Sequence, residues 1–145
     1  MRLDEVSVAI EKLCGLPCTR VKNSVGSISS LEFGDLAPSP DDPTVLHGIF
    51  SLMLYCPWRI DGPSGAVGDW NLPGGHDGRI ASVLGLVVGA TVTGVRLHPP
   101  SGDLGLSFSN RHQLFAFVDS SGFGGAAWVL FGRDGAEVSV KAPEY

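Results

Sequence analysis

The sequence predicts an α+β domain in which two short helices pack on antiparallel sheet. Two observations carry that reading. Apolar residues recur at helical spacing in two places, from Leu3 to Cys14 and from Arg79 to Val88, and elsewhere the apolar pattern has a period of two. Clusters of Gly, Pro, Ser, Asn and Asp separate the alternating stretches, as strand-to-strand turns require. The 145 residues suit one compact domain, 1–145, with little room for a second.

In the first helix Leu3, Val6, Ile10, Leu13 and Cys14 form the buried face. Asp4 and Glu5 sit in the first turn, where the helix dipole favours negative charge, and Gly15-Leu16-Pro17 ends it. The second helix spans 79–88, with Ile80, Val83, Leu84, Val87 and Val88 inward, Asp77 as N-cap and Gly89 as the residue past its end. Helices this short need a sheet to pack on. Strands are expected at 18–25, 27–33, 47–60 (one long central strand with Pro57 near its end), 91–98, 103–109, 113–119, 127–132 and 137–142. Asp134-Gly135 marks a tight hairpin between the last two. Residues 34–44 and 61–78 read as loops.

The two halves also look alike. Gly15-Leu16-Pro17-Cys18-Thr19-Arg20-Val21-Lys22 matches Gly89-Ala90-Thr91-Val92-Thr93-Gly94-Val95-Arg96 in kind, Leu31-Glu32-Phe33 matches Leu106-Ser107-Phe108, and one Trp follows in each half, Trp58 and Trp128. An internal repeat, 1–60 and 77–142, is the expectation.

Ten basic against fifteen acidic side chains give a net charge of −5, and charged residues make up 17%. With no basic run, phosphate neutralisation lacks its residues, so a nucleic-acid partner is not expected. The Met1-Arg2-Leu3-Asp4-Glu5 start lacks a signal-peptide layout, and the apolar stretch 80–95 is too short and glycine-broken to span a bilayer. A cytoplasmic protein without membrane association is expected. Cys14, Cys18 and Cys56, odd in number, read as buried reduced thiols. The low charged fraction leaves room for an apolar patch and a homodimer.

Chemistry-bearing patterns are sparse. Asp61, Asp69, His76 and Asp77 have the donor types of a divalent-metal site but no organising spacing, and turn or capping roles explain them. Ser120 and Ser121 follow Asp119 without a nucleophile elbow, and the glycine-rich runs 62–68 and 122–125 lack both the dinucleotide spacing and a P-loop lysine. His47, His98 and His112 read as structural strand residues. No catalytic residue, metal ligand or cofactor is therefore expected, and the chain reads as a non-enzyme. Two binding candidates stand out. From Asn23 to Trp58 there is no Lys or Arg, and Asp35, Asp41 and Asp42 would suit a basic protein partner. The alternative is a small-molecule or metal pocket, or an enzyme site, near Trp58, Arg59, Trp70 and His76, with Arg59 stacked on Trp58 or Trp70 or paired with Asp61.

The succession Cys56-Pro57-Trp58-Arg59-Ile60, an Asp in a glycine-rich loop, Gly89 to Val95, Asp103-Leu104-Gly105-Leu106-Ser107-Phe108-Ser109-Asn110, Leu114-Phe115-Ala116-Phe117 and Trp128-Val129-Leu130-Phe131 resembles a group of small uncharacterised bacterial proteins of unknown function. Some similar small domains are regarded as immunity proteins that act beside secreted toxins. The resemblance implies a bacterial cytoplasmic interaction domain, immunity-like, and carries over no functional residue.

Overall fold

The computed structural model describes residues 3–24, 28–72, 78–118 and 125–141. Helix α1 spans Leu3–Ile10 and tightens into a 3-10 turn, Glu11–Leu13; helix α2 spans Arg79–Leu84 and tightens likewise over Gly85–Val87. Val6, Ile10 and Leu13 are buried on the first, and Ile80, Leu84 and Val87 on the second, as the helical spacing requires. Cys14 and Val88 are exposed instead, because each follows a 3-10 turn whose tighter winding carries the next residue off the buried stripe. Gly15 and Gly89 then turn the chain at φ +89° and +88°, a left-handed conformation that suits glycine. The N-cap of α2 is Gly78, with no side-chain cap; Asp77 lies outside the described residues.

The strands are β1 (Cys18–Asn23), β2 (Ser29–Phe33), β3 (Ala37–Pro38), β4 (Leu46–His47), β5 (Phe50–Leu54), β6 (Trp58–Gly62), β7 (Gly65–Asp69), β8 (Val92–His98), β9 (Asp103–Phe108), β10 (Gln113–Ala116), β11 (Ala126–Gly132) and β12 (Glu137–Lys141). They pair antiparallel in two five-stranded sheets, β1-β2-β5-β11-β12 and β7-β6-β10-β9-β8, and a small ribbon, β3-β4. The α+β class read from the sequence is the observed one. The hairpin at Asp134-Gly135 pairs Leu130 with Val138 and Trp128 with Val140.

Three stretches differ from the sequence reading. Residues 47–60 are not one strand: β5 and β6 lie in different sheets, and Tyr55, Cys56 and Pro57 carry the chain between them. Pro57 has no N–H for a ladder, but its carbonyl accepts from Phe117 N–H at 2.8 Å, while Tyr55 N–H donates to Ala127 O at 2.9 Å. The crossing from β5 to β6 is thus bonded to Phe117, just past β10, and to Ala127, within β11. Residues 61–78 do not form one loop, since β6 turns through Gly62-Pro63-Ser64-Gly65 into β7. Residues 34–44 contain β3, which pairs with β4 as Ala37 to His47 and Pro38 to Leu46.

Alternation sends Leu31, Leu52, Leu54, Trp128 and Leu130 of one sheet, and Trp58, Ile60, Leu104, Leu106 and Leu114 of the other, into a single buried cluster with the helix residues. Helix α1 packs on the edge strands β12 and β8, and α2 on β1 and β7, so each helix closes one open side between the sheets. The links after the helices pair with each other: Cys18 N–H to Ala90 O and Val92 N–H to Leu16 O, both at 2.9 Å. In chain order, apart from the β3-β4 ribbon inserted between β2 and β5, each helix is followed by three strands of one sheet and then a hairpin of the other.

Candidate functional site

The site lies on the outer face of the first sheet, opposite the core. Register places Arg20 beside Glu32, Glu32 beside Ser51, and Ser51 beside Phe131, in one row across four strands. Ser30, Met53 and Val129 form the next row. A strand glutamate on an outer face would ordinarily reach water, yet Glu32 is only 5% exposed. Three groups on a short stretch of chain, two of them at the end of the β3-β4 ribbon, converge on its Oε1. Gly48 N–H donates at 2.9 Å, the Ser51 hydroxyl donates at 2.5 Å, and His47 Nδ1 stands 3.2 Å away.

The close approach depends on Gly48. A Cβ there would stand 2.4 Å from Phe33 O and 2.8 Å from Phe33 N, well inside contact distance of immovable backbone. The far end of the ribbon is held locally: Ser39 N–H donates to Val45 O at 2.8 Å, and Asp42 Oδ1 accepts from Thr44 N–H at 3.0 Å and Thr44 Oγ1–H at 2.7 Å. These Thr44 bonds hold the Asp42 carboxyl below its usual range.

Glu32, His47 and Ser51 do not make a nucleophile relay. Such a relay needs the imidazole between the two partners, one nitrogen to each. Here Nδ1 faces both, at 3.2 Å from Glu32 and 3.4 Å from Ser51, and Ser51 donates directly to Glu32. The arrangement is a latch that fastens the ribbon to the sheet.

Between the ribbon and the β11–β12 turn lies a cavity of about 490 Å³, lined among others by Asp41, His47, Met53, Phe131, Arg133 and Asp134. A more open hollow of about 650 Å³ adjoins it and shares Pro40, Arg133 and Asp134, with Asp35, Ile49 and Phe50 completing its wall. Arg133 joins the two walls: its Nε–H donates to Gly48 O at 3.2 Å, its Nη2–H to Asp35 O at 2.8 Å, and its backbone N–H to Ile49 O at 3.0 Å. The forked guanidinium suits this bridging role. Val45, Leu46, Ile49 and Phe131, all large apolar side chains left exposed, border the same region.

The acidic trio from the sequence divides. Asp41 lines the cavity and Asp35 the adjoining hollow, while Asp42 is spent on the turn with Thr44. The aromatic-arginine group does not assemble. Trp58 is fully buried among core residues, and its Nε1 has no hydrogen-bond partner among the described residues. Arg59, the next residue of the strand, faces outward, where it pairs with Asp61 at 2.7 Å and lies over the rings of Phe115 and Phe117 at 5.3 and 5.5 Å. Neither Trp58 nor Trp70 stacks on it. Trp70 is 39% exposed on the strand-end opposite Trp58, and His76 lies outside the described residues, as do Asp119, Ser120 and Ser121. Among the described residues no three His, Cys, Asp or Glu side chains group as a metal site, and no helix is long and apolar enough to cross a membrane.

Sequence reasoning missed Glu32, Ser51, Met53, Phe131, Arg133 and Asp134 as site residues. One signal was present: Glu32 stands in a strand between Leu31 and Phe33, inside the stretch without Lys or Arg. None of the three cysteines forms a disulfide; Cys18 and Cys56 are buried and Cys14 is exposed. Burial pushes the Cys18 thiol up to about 12. Comparison of the chain with family models, curated proteins and solved structures finds no match.

Proposed function

We propose that this is a non-enzymatic protein-binding domain that holds a basic partner on the ribbon face, in the manner of an immunity protein masking a toxin. The observation that carries the reading is the composition of the two joined hollows. Asp35, Asp41 and Asp134 line them, the buried Glu32 lies beneath, and the one guanidinium in their walls, Arg133, is committed to backbone carbonyls. Exposed Val45, Leu46, Ile49 and Phe131 supply the apolar contact that a stable interface needs at its centre, with the carboxylates as rim. A cytoplasmic bacterial setting, a homodimer and the internal repeat 1–60 and 77–142 belong to the same proposal. The like order of elements after α1 and α2 supports the repeat.

The test is capture on the tagged protein from source-cell lysate at low and high salt, read by mass spectrometry, followed by binding measurements with the recovered protein. A basic protein held at low salt and lost at high salt is expected. Replacing Asp35, Asp41 and Asp42 together by Asn should weaken that binding and flatten its salt dependence. Binding indifferent to both salt and the triple replacement overturns the reading. In that case a small ligand in the 490 Å³ cavity becomes the better account, and a thermal-shift screen identifies it.

A further inference from the structure

We infer that the cavity between the ribbon and the β11–β12 turn is a subsite for one cationic side chain, a lysine or arginine, presented by the partner. The inference rests on the protein-binding reading and names what that face recognises. Three features of the cavity point the same way. Its walls combine Met53, Phe131 and Pro40 with two acidic residues, Asp41 and Asp134, against one guanidinium, Arg133. That combination fits a side chain with an apolar stem and a charged head, because the stem covers hydrocarbon while the head meets an anion. Its volume of about 490 Å³ lies within the range of small-ligand pockets, ample for one long side chain and its backbone.

The carboxylates are also uncommitted. Among the described residues neither Asp41 nor Asp134 makes an ion pair; the ion pairs described are His47 with Glu32 and Arg59 with Asp61. Asp134 does accept the N–H of Ala136 at 3.0 Å, which fixes its carboxylate at the turn without neutralising it. The third feature is order. Arg133 ties the turn to the ribbon, and Glu32 ties the ribbon to the sheet, so both walls are positioned before a partner arrives. A cleft whose walls are already held spends little entropy on binding a cation. An anionic head would meet two carboxylates against the single Arg133 guanidinium, whose N–H groups are turned to Gly48 O and Asp35 O, and a neutral amide would gain no charge-assisted bond.

The probes are three blocked tripeptides, Gly-Arg-Gly, Gly-Lys-Gly and Gly-citrulline-Gly, titrated into the full chain and followed by amide NMR. Citrulline keeps the shape of arginine and removes its charge. The arginine or lysine peptide is expected to move the amides of Met53, Phe131 and Gly132, and the citrulline peptide is not. Whichever cationic peptide binds more tightly identifies the head group. Asp41 is exposed, so D41N leaves the fold intact, which circular dichroism checks; it should weaken the cationic peptide about tenfold, the usual loss for one charge-assisted bond. Equal shifts with citrulline, or cationic peptides that leave Met53 and Phe131 unmoved, overturn the subsite. That failure is separable from failure of the wider reading: a partner still held in a salt-sensitive way without cavity shifts sinks the subsite alone, whereas a partner indifferent to salt and to the Asp35, Asp41 and Asp42 replacements sinks the acidic face.

Discussion

Nδ1 of His47 stands 3.2 Å from Oε1 of Glu32, and the same oxygen takes the Gly48 N–H and the Ser51 hydroxyl. One buried carboxylate oxygen therefore fastens the ribbon that carries Asp41 to the sheet that carries Met53 and Phe131. Together with the Arg133 bonds to Gly48 O and Asp35 O, this contact holds the ribbon side of the cavity.

Removing Glu32 should release the ribbon before it unfolds the sheet. E32A leaves the Gly48 N–H and Ser51 hydroxyl without their acceptor and is expected to cost about 2 kcal/mol in urea unfolding. E32Q keeps an acceptor oxygen and should cost less than half as much. Amide hydrogen exchange at Leu46 and His47 should accelerate in E32A while Leu52 stays protected. An E32A protein as stable as the parent, with unchanged exchange at the ribbon, would remove the latch from the account.

The cysteines should react in a fixed order. Cys14 is exposed, although burial of its sulfur and the nearby Glu11 carboxylate raise its pKa and slow it relative to a free thiol. Cys18 is buried, with its thiol pushed up to about 12 by desolvation, so it should stay unlabelled until the chain opens. The pH dependence has a definite sign. A thiol whose folded pKa lies above its unfolded value stays protonated in the native state while the unfolded chain ionises, so its share of stability is complete below about pH 9 and falls away up to about pH 12. Alkaline unfolding titrations of the parent and C18A should differ in slope across that window, with C18A the flatter. Rapid labelling of Cys18 at neutral pH would contradict its burial.

Arg133 offers a test of order against charge. R133K keeps the positive charge but loses the fork that reaches Gly48 O and Asp35 O together. The fold should lose about 1 kcal/mol, the size of one ordinary hydrogen bond, by thermal or urea unfolding. Affinity for the basic partner should fall although the net charge of the face is unchanged, because the turn is no longer held to the ribbon. Unchanged affinity in R133K would mean that charge alone, without the fixed cleft, accounts for binding.

Much of the fold was legible in local pattern. The helical spacing of Val6, Ile10 and Leu13, and of Ile80, Leu84 and Val87, found both helices, and Gly15 and Gly89 marked their ends. Alternation found β8, β9, β11 and β12 with nearly their observed bounds, and Asp134-Gly135 found the last hairpin. These signals are local: each depends on neighbours within a turn or a strand, which the sequence states directly.

The failures were those of long-range geometry. Residues 47–60 are mostly apolar, so nothing in their pattern says that the chain leaves one sheet at Leu54 and enters the other at Trp58; that is decided by pairing with Ala127 and Phe117, far along the chain. Trp58 and Arg59 are adjacent in sequence, and alternation turns them to opposite faces, one into the core and one onto Phe115 and Phe117. The acidic stretch around Asp35 and Asp41 was visible from composition alone. Its cavity was not, because Asp41, Met53 and Asp134 come from three segments that only the folded chain brings into one wall. The sequence by itself determined the helices, most strands and the sign of the charge on this face, since each follows from local spacing or residue count. The tertiary structure alone decided the exchange of hairpins between sheets, the burial of Glu32 beneath the ribbon and the cleft beside it, since each depends on contacts between residues distant in the chain.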